Sequence, residues 1–519
     1  MESKEIKPNR ETKTIIVMMV LVLFAKLSGF YRDIVVASLL GVDGYEAQAF
    51  AFASLVPRQF LDVAFAAAIS AGFIPVFNYY LEKKSKEEAF GLARNFITLV
   101  VVVSLGVSLL GFVGAEIIAP MFFDADFSLQ AINIGVGLFR IMTFTIFFTS
   151  TAFALTGLVQ SLGSFYIPSI MSLVSNLLVL GYLFLFFERW GVSGLAVAFV
   201  LGSVMQVVIF WIPLRRHKFK YRPKLSLKDE GIKRILRLTP AVMVSSWLIP
   251  IIMLVNGAIA GRQNSAYLPQ LILANTVFMV ITGMFILSVT NVIFPKLSRE
   301  AAKDSGGEYA KTLSSSISAI IFILIPMSVG IFVLRVPLVR LAFERGEFTA
   351  ENTATVAYAL GILAVGAVGY GLVSLLSRSL YAKQDAKTPV VATLIAIVAN
   401  IIIAFVFIDA LGIGGVALAV TASITLAGVI MYGVAAKRFG ILNKSAAINF
   451  MKMAVSAAIM FGAVWLTLRL VEGLHDILKL AIVALVGVMI YTTSAIILKV
   501  DEVQMAKAAI ITRLRGRVS

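Results

Sequence analysis

The chain has 519 residues, 60% of them hydrophobic and only 14% charged, where a soluble domain carries roughly 25% charged residues. It has a net charge of +17, no cysteine and two histidines, His217 and His475. This composition excludes a soluble globular domain, a disulfide framework and thiolate metal chemistry, and it leaves little for histidine-based catalysis, so neither a metal nor a cofactor is expected.

Apolar runs follow one another along the whole chain, at roughly 14–40, 46–80, 93–122, 129–159, 164–187, 192–214, 235–260, 266–294, 312–334, 353–382, 389–408, 412–436, 447–468 and 478–498. Each can cross a hydrocarbon core of about 30 Å as a helix. The expected fold is therefore an all-α polytopic membrane protein with 14 transmembrane helices. The first run follows a basic start but is too long for a signal-peptide core, and no small-residue cleavage site follows it, so it reads as a retained helix. Pro57, Pro250 and Pro326 fall inside the second, seventh and ninth runs and predict bent helices there.

The positive charge lies between the apolar runs rather than in one patch, which argues for topology and against nucleic acid. Roughly three-quarters of the Lys and Arg residues fall in loops on the side holding the N-terminus. An even number of crossings returns the C-terminus to that side, so both termini are expected in the cytoplasm. The densest run is Arg215-Arg216-His217-Lys218-Phe219-Lys220-Tyr221-Arg222, continuing to Lys228 and Arg237. It reads as a positive-inside linker, with contact to anionic lipid or an acidic substrate as the functional alternative.

The sequence also repeats. Gly191-Val-Ser-Gly194-Leu-Ala-Val-Ala198 returns as Gly412-Ile-Gly-Gly415-Val-Ala-Leu-Ala419, and the spacing of Gln160 and Asn176 returns as Gln384 and Asn400. Phe73-Ile-Pro75 returns as Ile293-Phe-Pro295. The common offset of about 220 residues implies two parallel six-helix lobes, 1–214 and 235–440, joined by a basic cytoplasmic linker at 215–234. Helices 13 and 14 and a basic tail, 441–519, have no counterpart. Two such halves imply a cleft and alternating access.

Charges inside the apolar runs are the candidate site. Lys26, Arg32 and Asp33 lie in the first run, Arg58 and Asp62 one turn apart in the second, Arg140 in the fourth and Arg378 near the end of the tenth. Lys26 falls roughly 18 Å along the helix from Thr14, where a charge costs at least about 2.5–3.5 kcal/mol unless it meets water or a partner. Cations outnumber anions, so Lys26, Arg32, Asp33, Arg58 and Asp62 suggest a net-positive cavity for an anionic group, with Arg forks suited to phosphate. Mutual ion pairing is the structural alternative, above all for Arg58 with Asp62. Arg140 is open between cavity and helix packing, and Arg378 is placed to snorkel to the cytoplasmic surface.

Several motifs, in order, resemble one family. Ser28-Gly29-Phe30-Tyr31-Arg32-Asp33, then Pro57 and Phe73-Ile74-Pro75, is similar to the opening of the MurJ/MviN lipid II flippases. Phe343-Glu344-Arg345-Gly346-Glu347-Phe348-Thr349 looks like the family's periplasmic loop before span 10. Ser377-Arg378-Ser379-Leu380-Tyr381-Ala382, with Asp385, Lys387, Thr388 and Pro389, resembles its span 10–11 connection.

The resemblance implies a member of the multidrug/oligosaccharidyl-lipid/polysaccharide exporter superfamily in a bacterial inner membrane. Its substrate would be lipid II, its pyrophosphate meeting the central cations and its polyprenyl tail a groove on the two extra helices. It would be a transporter and not an enzyme, working as a monomer, with contacts to cell-wall synthesis machinery and to membrane lipids. A flippase for another polyprenyl-linked oligosaccharide, or another exporter of the same superfamily, is the alternative within transport. A membrane glycosyltransferase would need a carboxylate-bearing outer loop or a metal site, and a scaffold would need no internal charge. The chain departs from the family pattern in places. Leu61 stands where the family has a span-2 arginine, so Arg58 is expected to take that role. Asn275-Thr276 replaces an Asp-Arg pair. Asn256 and Ala404 stand at acidic positions of a region linked to sodium in some members, whereas Asn400 is kept.

Overall fold

A computed structural model of the protein describes residues 10–123, 129–246, 248–302, 306–441, 444–504 and 507. The described residues are helical with no strand, and helices occupy every one of the apolar runs. Ten of these helices are long and apolar enough to cross a membrane, or eleven if a pair bent by 48° is one span. The chain forms two compact units, Met1–Pro269 and Gln270–Ser519.

The first unit opens with α1 (Arg10–Leu40) and α2 (Tyr45–Ala68), and α2 runs through a π-helical turn at Ile69–Phe73 into α3 (Ile74–Lys83). Next come α4 (Lys86–Ile118), α5 (Leu129–Met142), α6 (Phe144–Ser161), α7 (Tyr166–Leu185), α8 (Phe187–Val208) and α9 (Trp211–Arg216). α10 (Glu230–Ser246) and α11 (Leu248–Gln263) complete it, both packing on α2. Local chemistry sets the boundaries. Ser85 caps α4 by accepting the Glu88 backbone N–H at 3.2 Å, with Glu87 and Glu88 in the first turn where the helix dipole favours anions. At one end a core of Phe73, Phe77, Phe96, Leu158, Phe210 and Ile235 is fully or nearly fully buried, with Phe73 and Phe96 stacked at 4.5 Å.

The second unit contains α12 (Tyr267–Ala302), α13 (Gly306–Phe343), α14 (Ala350–Val365), α15 (Ala367–Ala382), α16 (Lys387–Leu411), α17 (Ile413–Phe439), α18 (Lys444–Leu470) and α19 (Asp476–Ile497). α17 is its centre, packing against α14, α15 and α16. Small residues make that possible, since lipid supplies no hydrophobic drive between helices and close approach must. A Cβ on Gly428 would lie 3.1 Å from the Gly369 carbonyl oxygen of α15. α18 and α19 pack on α13 through Val333, Leu334, Met460, Val464 and Tyr491, whose hydroxyl donates to the Phe322 carbonyl at 3.1 Å.

The repeat is visible in backbone conformation. Gly191 and Gly412 open the two related segments with nearly the same left-handed geometry, φ 53°, ψ −147° and φ 56°, ψ −132°. Only glycine adopts such values without strain, so the two sharp reversals at α7–α8 and α16–α17 share one sequence cause. One bend stands where no proline predicts it. α13 continues as one helix through Pro326 and Pro337, while the 48° bend lies at Gly366, between α14 and α15. Pro250 lies within α11.

Candidate functional site

α1 packs along α7, and its charges meet that helix at one buried amide. Arg32 donates through Nε (3.1 Å) and Nη2 (2.8 Å) to Asp33 Oδ1, and through Nη1 to Asn176 Oδ1 of α7 at 2.8 Å. The Asn176 Nδ2 group donates back to α1, to the Ala25 carbonyl at 3.1 Å and to Ser28 Oγ at 3.0 Å. Gly29 makes room for this amide, since a Cβ there would lie 3.2 Å from Nδ2. The Arg32 guanidinium stands 5.0 Å from the Phe199 ring of α8, and the Arg32 and Asp33 side chains are only 11% and 16% exposed. A cation is thus fixed at a helix junction by a carboxylate, an amide and an aromatic face, in surroundings where charge-assisted bonds are strong.

The other candidates are placed as follows. Lys26 is exposed on α1, six residues before Arg32, with no hydrogen-bond or ion-pair partner among the described residues. The side chains of Arg58 and Asp62 lie outside the described residues. Arg140 pairs with Glu116 of α4 at 2.8 Å and with the Phe112 carbonyl at 3.3 Å, so it joins α5 to α4. Arg378 is half-buried on α15 in the second unit. Asn256 on α11 is fully buried, with neither amide atom hydrogen-bonded among the described residues. Asn400 on α16 is also fully buried, its Nδ2 3.4 Å from Ser423 Oγ and its Oδ1 without a hydrogen-bond partner among the described residues.

For the sodium site implied by the resemblance, these two positions offer neutral amide oxygens and no carboxylate. That donor chemistry does not fit a charge-compensated alkali-ion cage, and among the described residues no cluster of His, Asp and Glu could hold a metal ion. The residue that sequence reasoning did not place in the site is Asn176. Its one signal was the repeat, which pairs it with Asn400.

The Asp385 motif has a structural role. Asp385 accepts the Thr388 backbone N–H at 3.0 Å, the Thr388 hydroxyl at 2.8 Å and Arg438 Nη1 at 2.8 Å, tying the start of α16 to the end of α17. Burial pushes its pKa up, but the Thr388 hydrogen bonds and the Arg438 charge outweigh burial and hold it below the usual carboxylate value. Its stabilising contribution is therefore complete above the unfolded pKa of about 3.9 and is lost as pH falls through the lower folded value. Asp385→Asn should cost about 1–2 kcal/mol at neutral pH, discounted for the half-exposed Arg438. The gap between the thermal melts of the two proteins should begin to narrow below about pH 4 and close only below the lower pKa of the folded carboxyl. A gap that persists in acid would show that the carboxylate charge is not what holds the corner.

A helical bundle with a repeat, glycine-hinged hairpins and a cation fixed between apolar helices defines a polytopic membrane protein. In fold the chain is similar to a MATE multidrug transporter of the MOP superfamily in its inward-facing conformation, with a TM-score of 0.69 at 16% identity over 82% of this chain and 98% of that one. It is also similar to a lipid II flippase MurJ structure in an inward closed conformation, with a TM-score of 0.79 at 22% identity over 94% of this chain and all of that one.

The lipid II flippase MurJ family profile matches residues 36–487, and the chain belongs to that family. It is 29% identical over 470 residues to a probable lipid II flippase MurJ of Vibrio cholerae, covering 88% of each chain. It is 26% identical over 493 residues to the corresponding protein of Thermotoga maritima, covering 93% of this chain and 95% of that one. The protein is a multi-pass membrane transporter.

Proposed function

We propose that this protein moves lipid II from the cytoplasmic to the outer leaflet of a bacterial inner membrane by alternating access between lobes 1–214 and 235–440. Both termini lie in the cytoplasm, and the working unit is a monomer in contact with cell-wall synthesis machinery. The observation that carries the reading is Arg32, a guanidinium fork fixed at the junction of α1, α7 and α8 in a chain of this family. Its fork can exchange Asp33 for a pyrophosphate oxygen, so the carboxylate serves as resident counter-ion and the substrate displaces it. Lys26, exposed on the same helix, adds positive charge along the path, and Arg58 supplies the span-2 cation. α18 and α19 carry the polyprenyl tail. They pack on α13 by one face and leave Met451, Leu466, Leu485 and Val488 more than half exposed.

The test is movement of labelled lipid II in vesicles reconstituted with the purified protein. Transfer above protein-free vesicles is expected, and it should proceed at the same rate in sodium, potassium or choline buffer, because Asn256 and Asn400 are neutral. The driving force then comes from the membrane potential acting on moving cations, about 2.3 kcal/mol per charge per 100 mV. No transfer of lipid II, with transfer of another polyprenyl-linked sugar, would reassign the substrate. A sodium dependence that saturates at millimolar concentration would reveal an oxygen cage built without carboxylates.

A further inference from the structure

The linker between the two sequence repeats is built into the cytoplasmic end of the first unit as a basic pocket. Asn95 of α4 bonds Ser226 on both backbone atoms, Nδ2 to the carbonyl and Oδ1 from the N–H, each at 2.9 Å. Thr98 Oγ1 accepts the Lys224 N–H at 3.2 Å and contacts the Tyr221 hydroxyl at 3.0 Å, and Arg94 Nε donates to the Lys220 carbonyl at 3.0 Å. Phe219 is buried against Phe90, edge to face at 5.2 Å. A linker needed only to carry positive charge would require none of these bonds, since topology depends on loop charge and not on loop shape.

Beside the bonded linker lies a cavity of about 340 Å³ at the first turn of α4, lined in part by His217. It is lined by five cations, Lys86, Arg94, Lys218, Lys220 and Arg222, and by one carboxylate, Glu87, which lies 3.7 Å from Arg94. The N-terminal dipole of a 33-residue helix adds to that field. An anion is the fitting occupant.

Depth selects the kind of anion. α9 begins at Trp211, which is 60% exposed and lies beneath Arg215 at 4.7 Å, an aromatic–arginine pair of the kind that sits at the headgroup level. The pocket cations follow within a few residues, and the same segment exposes Leu225 and Leu227 between Lys224 and Lys228. Apolar side chains alternating with lysines on a membrane-proximal segment suit a lipid surface better than open cytosol.

We infer that this pocket binds the phosphate headgroup of an anionic phospholipid of the cytoplasmic leaflet, separately from the Arg32 site. Lipid binding secures the linker at the membrane surface. The readout is lipid retention and does not depend on movement of lipid II, so the inference stands or falls independently of the proposed function.

The full-length protein is placed in nanodiscs of mixed phosphatidylglycerol and phosphatidylcholine, released, and its retained lipids counted by native mass spectrometry. Neutralising the linker cations, with Lys218→Gln, Lys220→Gln and Arg222→Gln together, should lower phosphatidylglycerol retention at least about ten-fold. Lys86→Glu, which leaves the linker unchanged, should lower it in the same direction. Neutralising Lys228, Lys233 and Arg237, exposed cations of the same region outside the pocket, should leave retention within about two-fold of the parent. Equal loss in both triple variants would overturn the pocket in favour of a diffuse basic surface. Binding of inorganic pyrophosphate that depends on the pocket cations, with no preference for phosphatidylglycerol, would overturn the lipid assignment and make the ligand a soluble polyphosphate.

Discussion

Arg32→Ala is expected to abolish growth rescue in a strain lacking other flippases, while Arg32→Lys retains part of it. The guanidinium makes three bonds in two directions at once, two to Asp33 and one to Asn176 across to α7. A lysine keeps the charge but cannot span both acceptors in a fixed fork. An alanine also takes one cation away from Asp33, a carboxylate only 16% exposed, and so makes the local field less attractive to an anionic substrate. Loss of the transition-state or binding fork to a diphosphate is worth a factor of about ten or more for each charge-assisted bond. Folding should survive, because α1 is also held to α7 by the Asn176 bonds to Ala25 and Ser28. The checks are rescue, membrane expression level and melting temperature measured together. Full rescue by Arg32→Ala would make the Arg32–Asp33 pair a packing device with no part in transport.

Much of the architecture can be read from the sequence, and the reason is the solvent. In a bilayer every backbone polar group must be satisfied within its own segment, so apolar length maps directly onto helices. The places where those helices break are less legible. Proline removes one hydrogen bond, yet α13 passes through Pro326 and Pro337, whereas the breaks at Thr143 and Gly366 occur where neighbouring side chains pack and no proline stands. A sharp reversal is legible only where it needs left-handed φ, as at Gly191 and Gly412.

At the site, Arg32 and Asp33 stand out because charge inside an apolar run is costly and must have a purpose. Asn176 does not stand out, since a lone amide in a membrane helix looks like packing until its partner is known. That partner is 144 residues away. Arg140 illustrates the converse. Its charge is conspicuous in the sequence, but Glu116, which satisfies it, lies at the far end of the preceding helix, outside the window in which helical pairing can be read. The pocket beside the linker is legible as charge and not as shape, because Asn95 and Thr98, which hold the linker to α4, are neutral residues.

Asn176→Leu should reduce lipid II movement nearly as far as Arg32→Ala, while costing little stability. Leucine is close in volume and suits a membrane helix, so the α1–α7 contact is refilled with apolar surface. Three hydrogen bonds are lost, but interhelical polar contacts in membrane proteins average about 0.6 kcal/mol each, because the unfolded helices find other partners. A total of about 2 kcal/mol leaves most of the protein folded. The functional cost is larger because Nη1 of Arg32 loses the acceptor that fixes the plane of its fork. A guanidinium turned by a few tens of degrees cannot present two parallel N–H groups to one phosphate.

Asn176→Asp separates position from charge. It keeps an oxygen for Arg32 to donate to at the 2.8 Å position, but it adds a second carboxylate beside Asp33 and gives up the donor to Ala25 and Ser28. If Asn176 only holds helices together, Asp should be as damaging to stability as Leu and no worse for transport. If it orients a cation that must receive an anion, Asp should bring transport to background at any tolerable stability, since the doubled negative charge cancels the attraction. Initial rates of lipid II transfer for the two variants, set beside their melting temperatures, decide the question. Near-parental transfer by Asn176→Leu would remove the amide from the site and leave it as helix packing.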